Sequence, residues 1–412
     1  MFTQKLAAMF LLLCLLYAPT PFAANRMTVS PLIYKHLQKV DEQINQNRFD
    51  EAQKHCAVLL NKKSLNPYEK SIIQQMLAGI YIRGENYPQA TKSFQRVLSL
   101  AALPKGNLLN IHYSLAQLYM QQGSYNEALE HFNLWLRETP QAKAEAWQFL
   151  ASIYVAKEQY SKAVKPAEKA LALTSSALTA SESEPLYQLL LGLYQRTNNN
   201  QRAIHLLEKM IEIFPEKKEY WMQLFYTLNE EGKDKLALSI LDLAYVNKLL
   251  DDGDELSHLA QLHIFHNNPL RAALILDSGI KQGAIKATHS HLQLLASAWF
   301  NAKEYEKSLR SLKQAAKLSG DGKIYYQLAQ AYSELSRWQE VVVALQKALD
   351  DKSLKNVGAC HLLMGIAYIE LEDYKQAQAS FQKSLREDTS KKEAGSWLAY
   401  LTQRMAEQDY EK

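Results

Sequence analysis

A chain of 412 residues with only 14 Gly and 11 Pro, but abundant Ala, Leu, Gln, Glu and Lys, favours helix and leaves few turn residues for an all-β fold. Forty-seven Lys and Arg stand against 43 Asp and Glu, giving a formal net charge of +4 that is spread along the chain. No basic arm asks for nucleic acid, and a hydrophobic share of 47% is enough for a continuous core.

Residues 1–24 read as a secretory signal peptide. Lys5 precedes the apolar run Leu6 to Tyr17, and Ala18-Pro19-Thr20-Pro21-Phe22-Ala23-Ala24 follows, with cleavage expected after Ala23 or Ala24. The run is shorter than the roughly 20 apolar residues a membrane span needs. Cys14 follows Leu12 and Leu13, not the small residues of a lipoprotein signal. The expectation is a periplasmic protein with no integral membrane span after cleavage. Cys56 and Cys360 then remain, far apart in the chain, and are expected to be unpaired buried hydrophobes.

From there the chain repeats itself. One unit reads Leu77-Ala78, Tyr81, Tyr87, Ala90, Phe94; the next Leu115-Ala116, Tyr119, Gly123, Tyr125, Ala128, Phe132, Pro140; then Leu150-Ala151, Tyr154, Tyr160, Ala163. Leu190, Leu191, Tyr194, Ala203, Leu207, Pro215 and Trp221, Leu224, Gly232, Ala237 continue the series. After them come Leu259-Ala260, Ala272, Leu276; Leu295-Ala296, Trp299, Tyr305; Leu328-Ala329, Tyr332, Trp338; and Met364-Gly365, Tyr368, Tyr374, Ala377, Phe381. A degenerate first unit around Val40, Phe49 and Ala52 makes ten.

The first-helix marker, usually a small residue, recurs at Ala78, Ala116, Ala151, Leu191, Phe225, Ala260, Ala296, Ala329 and Gly365, with steps of 33 to 40 residues. Ala or Gly at a helix crossing lets two backbones approach while Tyr, Leu and Phe fill the space beside it. No such unit buries its apolar face alone, so stability comes from stacking on neighbours. Ala101 to Asn107 and the Ser/Thr-rich Thr174 to Pro185 read as long connections. Trp397, Leu398, Tyr400, Leu401 and Met405, at helical spacing within Lys391 to Glu407, predict a final closing helix.

On these residues the chain resembles the tetratricopeptide-repeat (TPR) family, whose period is about 34 residues. The resemblance implies an all-α, right-handed superhelical TPR solenoid of about ten helix-turn-helix repeats over 27–388, with a C-terminal capping helix and tail at 389–412. Glu219-Tyr220-Trp221-Met222-Gln223-Leu224, Glu255 to Ile280 and Leu318 to Trp338 are similar to the large periplasmic TPR proteins that accompany TonB-type energy-transducing systems of gammaproteobacteria. That likeness implies a scaffold or adaptor whose protein partner belongs to a TonB-type complex.

The family exposes the first helix of each unit on a concave face, at positions three before, one after and four after the marker. Here those positions hold Tyr113, Gln117, Gln148, Gln188, Tyr226, Asn229, Gln261, Gln293, Tyr326 and Gln330, with Gln75, Met120, Ser152, Met222, Ser257, Ser297 and Phe300 among the rest. Amides can donate to and accept from an extended backbone, and Tyr and Met give adaptable apolar contact. The same tyrosines could stack on sugars, so a factor in cell-wall or exopolysaccharide assembly or export stands as the alternative. The Lys/Arg/Asn clamp by which chaperone-binding family members hold a terminal carboxylate does not occur at these positions.

Nothing in the sequence points to catalysis, a cofactor or a metal. His258, His263, His266, His289 and His291 form a histidine cluster without an H-E-x-x-H pattern. Asp251-Asp252-Gly253-Asp254-Glu255 has a calcium-loop composition with the wrong spacing and reads as a turn with a helix cap. Gly320-Asp321-Gly322-Lys323 lacks the spacing of a phosphate-binding loop.

Overall fold

The computed structural model describes residues 27–174 and 180–410, so the expected signal peptide lies outside the described residues. They are all-helical, and two compact units divide them at Leu206 and Leu207. In the first unit, α1 (Pro31–Asn45) and α2 (Phe49–Leu60) are followed by α3 (Pro67–Arg83) with α4 (Tyr87–Leu100) and α5 (Lys105–Gln121) with α6 (Tyr125–Arg137). Then come α7 (Ala144–Ala156) with α8 (Tyr160–Thr174), α9 (Ala180–Arg196), and α10 (Asn200–Ile213), within which the boundary falls.

The second unit continues with α11 (Lys218–Glu230) and α12 (Asp234–Val246), α13 (Gly253–Phe265) and α14 (Pro269–Gln282), and α15 (His289–Asn301) and α16 (Tyr305–Leu318). It ends with α17 (Gly322–Ser333) and α18 (Trp338–Leu349), α19 (Val357–Glu370) and α20 (Tyr374–Ser384), and α21 (Lys391–Tyr410). Within each unit, α3 packs on α4, α5 on α6, α7 on α8, and likewise α13 on α14, α15 on α16, α17 on α18 and α19 on α20.

One turn is used ten times to reverse the chain inside each pair. The residue two before the second helix sits in the left-handed region, at Asn47, Glu85, Gly123, Glu158, Asn198, Gly232, Asn267, Lys303, Ser336 and Glu372. The next N–H then reaches back five residues, to the carbonyls of Gln43, Tyr81, Tyr119, Tyr154, Tyr194, Leu228, His263, Trp299, Tyr332 and Tyr368, at 2.8–3.0 Å. This satisfies carbonyls that a helix end otherwise leaves orphaned. The acceptor is usually the aromatic residue three after the marker, so cap and core filler are the same residue.

Marker residues lie where the sequence put them. Ala78, Ala116, Ala151, Ala260 and Ala329 are fully buried, and a Cβ built on Gly365 would sit 2.5 Å from the Phe381 ring. Successive second helices are tied by Glu168–Arg202 (2.6 Å), Asp242–Arg271 (3.3 Å) and, through the turn before α18, Glu306–Arg337 (2.5 Å). These pairs are solvated enough to contribute little each. Cys56 and Cys360 are free and fully buried, one in each unit, and burial pushes both thiols up to about 12.

Two expected connections are shorter than predicted. Residues Lys105 to Asn107 already belong to α5, which starts after Pro104, and residues from Ala180 onward, Pro185 included, are helical in α9. Pro185 is the sixth residue of its helix and gives up one i→i−4 backbone hydrogen bond there. The expected Asp252 cap is present, accepting from the N–H groups of Asp254 (2.8 Å) and Glu255 (3.4 Å). Asp321 caps α17 in the same way, with Lys323 N–H at 2.8 Å. The closing helix packs Trp397, Leu398 and Leu401 on Phe381, Ala377 and Ile369.

Candidate functional site

The positions chosen from the sequence divide into two structural kinds. Those one or four after the marker include Tyr226, Asn229 and Gln261, all exposed. Tyr226 keeps 56% of its surface in water, its ring meeting only the edge of Phe225 at 5.1 Å. Gln117 and Gln330 are half-buried. Among those three before the marker, Gln188 is exposed and donates to Glu184 Oε1 at 3.4 Å, while Gln148 is half-buried.

Tyr113 and Tyr326, also three before the marker, are not free groove anchors. Tyr113 stands among the rings of Trp135 (4.8 Å), Phe132 (5.8 Å) and Phe149 (5.8 Å). Tyr326 packs against the core that contains Cys360, and burial raises its hydroxyl pKa. At this offset a long aromatic side chain leans towards the neighbouring repeat and finds the inter-repeat core. The expectation that Tyr326 is exposed on the first-helix face is therefore met only in part, since its ring is partly buried against that core.

Gln293 donates to Gln327 Oε1 at 2.7 Å, and Gln327 Nε2 lies 3.5 Å from Ser297 Oγ. Gln327 was not among the expected residues, yet it joins the amide positions of α15 to α17. Phe265 was also missed. It follows Gln261 by one helical turn and is 80% exposed. Its register five after the marker was the available signal. Helices α11 and α13 are linked by Lys218 to Glu255 (3.0 Å) and by the rings of Phe225 and His258 (6.2 Å). They thus set Tyr226, Asn229, Gln261 and Phe265 on adjacent first helices.

The later histidines are not gathered. His263 is buried with Nε2 3.1 Å from Asp242 Oδ1, His291 Nδ1 donates to the Lys286 carbonyl at 2.7 Å, and His289 pairs with Ser290 at 3.2 Å. Among the described residues no group of three or more His, Cys, Asp or Glu is arranged to hold a metal ion, and no helix is long and apolar enough to cross a membrane.

Four other histidines have their pKa lowered. Burial is the main cause at His55, His112, His131 and His361; His36, Lys39 and Lys62 add to it at His55, His112 adds at His131, and Lys383 adds at His361, while nearby glutamates partly oppose it at the last three. A histidine whose folded pKa is depressed contributes stability that is complete above its unfolded value of about 6.5 and is lost as pH falls, because the unfolded chain takes the proton first. The urea midpoint is therefore expected to fall between pH 7.5 and 5, a window above that of the lowered carboxylates Glu69 and Asp351. A midpoint that is flat or rises towards pH 5 contradicts this.

An all-α array of paired helices with an exposed aromatic and amide first-helix face is the class of protein that this geometry defines. Tetratricopeptide-repeat family models match residues 75–143, 144–176 and 359–390. A BBSome complex member of Bos taurus is 22% identical over 322 residues, 74% of this chain and 55% of that protein, so the chain spans about half the length of this curated relative. Among solved structures, the MamA protein is 18% identical over 42% of this chain and 92% of its own, with a TM-score of 0.36. A tetratricopeptide repeat protein of Parabacteroides merdae is 16% identical over 73% of this chain and 99% of its own, also with a TM-score of 0.36.

Proposed function

We propose that the protein is a periplasmic scaffold that captures a flexible segment of another protein on its first-helix face and serves a TonB-type energy-transducing complex. The observation that carries the capture is the α11 and α13 face. Two large rings, Tyr226 and Phe265, remain in water beside the exposed amides of Asn229 and Gln261. Rings left this open beside adaptable donors and acceptors suit an occupant with an apolar side chain and free backbone groups. The periplasm and the TonB-type complex rest on the signal-like N-terminus and on the resemblance of 219–224, 255–280 and 318–338.

The polysaccharide reading relied on Tyr113, Tyr226 and Tyr326 as a stacking surface. Two of the three are packed among core side chains, which favours a protein segment. Replacing Tyr226 and Asn229 together with Ala is expected to weaken partner binding by about 1–3 kcal/mol per anchor. The melting temperature should barely move, since both side chains are exposed. Unchanged affinity with unchanged melting would remove this face from the binding mechanism.

A further inference from the structure

Where the closing helix α21 meets α19 it leaves an open cleft of about 460 Å³. Ile369 and Glu370, at the end of α19, form one side. Glu393, Trp397, Tyr400 and Arg404, each about one helical turn after the last along α21, form the other. Ile369 is four after the marker Gly365, the offset that Asn229 holds on α11. Here α21 buries that position, and the cleft takes its place at the end of the first-helix series.

The walls of the cleft are aromatic and its rim is acidic. The Trp397 ring is fixed by stacking on the buried Phe381 (6.1 Å, 7°), and the exposed Tyr400 stands beside it at 5.8 Å and 86°. Glu370 and Glu393 are both exposed, and neither carboxylate has a hydrogen-bond or ion-pair partner among the described residues. Glu370 also ends its helix, where the helix dipole favours a positive charge. Arg404, the cation of the lining, is already engaged. Its Nη1 donates to the Tyr400 hydroxyl at 3.0 Å, and its guanidinium lies 5.9 Å from the centre of the Tyr374 ring. Two carboxylates against one guanidinium leave the lining with an excess of negative charge.

We propose that this cleft is a docking site for an arginine side chain on a basic segment of a partner protein. A guanidinium is planar and weakly hydrated, stacks on aromatic faces and pairs with carboxylates, whereas the ammonium of lysine is a strongly hydrated point charge. Tryptophan is the strongest aromatic partner for a cation, and the two helices supply one carboxylate each beside it. Arg404 shows the same rings already holding one guanidinium. A glycan is the less suited occupant, since rings at a right angle offer no flat platform for successive sugars. That the arginine belongs to the segment captured on the first-helix face rests on the function proposed above; the preference of the cleft for arginine does not.

The test is fluorescence anisotropy of a labelled hexa-arginine peptide with the whole protein, with hexa-citrulline as its neutral counterpart and chitohexaose as the glycan. Saturable binding of one hexa-arginine per chain is expected, with no binding of hexa-citrulline. Glu370→Gln, Glu393→Gln and Tyr400→Leu should each weaken it by about threefold or more, the size of exposed ion pairs and cation–π contacts. The two glutamates are exposed and their replacements keep the side-chain shape, so the fold is retained. Glu340→Gln, which removes the same charge from an exposed position on α18, should leave binding unchanged, as should replacement of Tyr226 and Asn229 by Ala. No saturable binding, equal binding of hexa-citrulline, chitohexaose bound in place of the peptide, or an equal loss from Glu340→Gln or from the Tyr226 and Asn229 replacement overturns the site. Absence of hexa-arginine binding leaves capture by the α11 and α13 face standing, since that is read with the Tyr226 and Asn229 variant and the partner itself.

Discussion

Replacing Phe132 with Ala is expected to cost the first unit about 3–5 kcal/mol, the usual range for truncating a fully buried phenylalanine. Phe132 is completely buried on α6, and Tyr113, Trp135 and Phe149 surround it with ring centroids at 5.3–5.8 Å. Those rings come from α5, α6 and α7, so the cavity would open on both sides of the repeat junction. Three large rings cannot collapse into it without leaving their rotamers. In a stacked array, loss at one junction uncouples its neighbours, so a separate early unfolding transition should accompany the drop in stability. Urea unfolding followed by tryptophan fluorescence checks this through Trp135 and Trp147. A loss below about 1 kcal/mol would mean that the cluster is not the centre of its core.

Gly365→Ala is expected to destabilise the second unit by about 1–3 kcal/mol, and Gly365→Val by more. The new Cβ would lie 2.5–2.7 Å from three atoms of the Phe381 ring. That ring cannot retreat, because it is fully buried and stacked on Trp397 at 6.1 Å and 7°. The same change at Gly79 or Gly192 meets nothing within 4 Å. There Ala should stabilise by about 0.5–1 kcal/mol through its better helix propensity. The opposite signs separate a glycine required by a helix crossing from glycines that merely lie on an open face. Thermal melting of the three variants decides it, and a Gly365→Ala variant as stable as the parent would contradict the crossing geometry.

The repeat was legible in the sequence because one requirement produces two visible marks. Close helix crossing demands a small residue, and the gap beside it demands an aromatic one three positions later. Substitution of the marker by Leu191 or Phe225 did not hide the period, since Tyr194 and Leu228 still receive the turn hydrogen bond. The left-handed turn residues were harder to read. Only Gly123 and Gly232 among the ten are glycines, and Glu85, Glu158, Lys303 and Glu372 adopt the conformation because the surrounding cap imposes it.

The candidate face was legible only in part. Spacing along one helix places Tyr113 and Tyr226 on the same exposed side, but it cannot tell whether the adjoining repeat offers rings to pack against. Trp135 and Phe149 do so for Tyr113, whereas Tyr226 meets only the edge of Phe225. The hydrogen-bonded pair of His112 on α5 and His131 on α6 was invisible for the same reason. Its members lie on different helices, and only the turn between them brings the rings together.

The most direct measurement of the central claim is site-specific photo-cross-linking in intact cells, with the reactive residue placed at Asn229 or Gln261 on the first helices and at Leu243 on a second helix. Adducts to a single protein from Asn229 and Gln261, and none from Leu243, are the predicted result. Adducts from Leu243 alone, or a glycan adduct in place of a protein, would contradict the capture of a protein segment by the first-helix face.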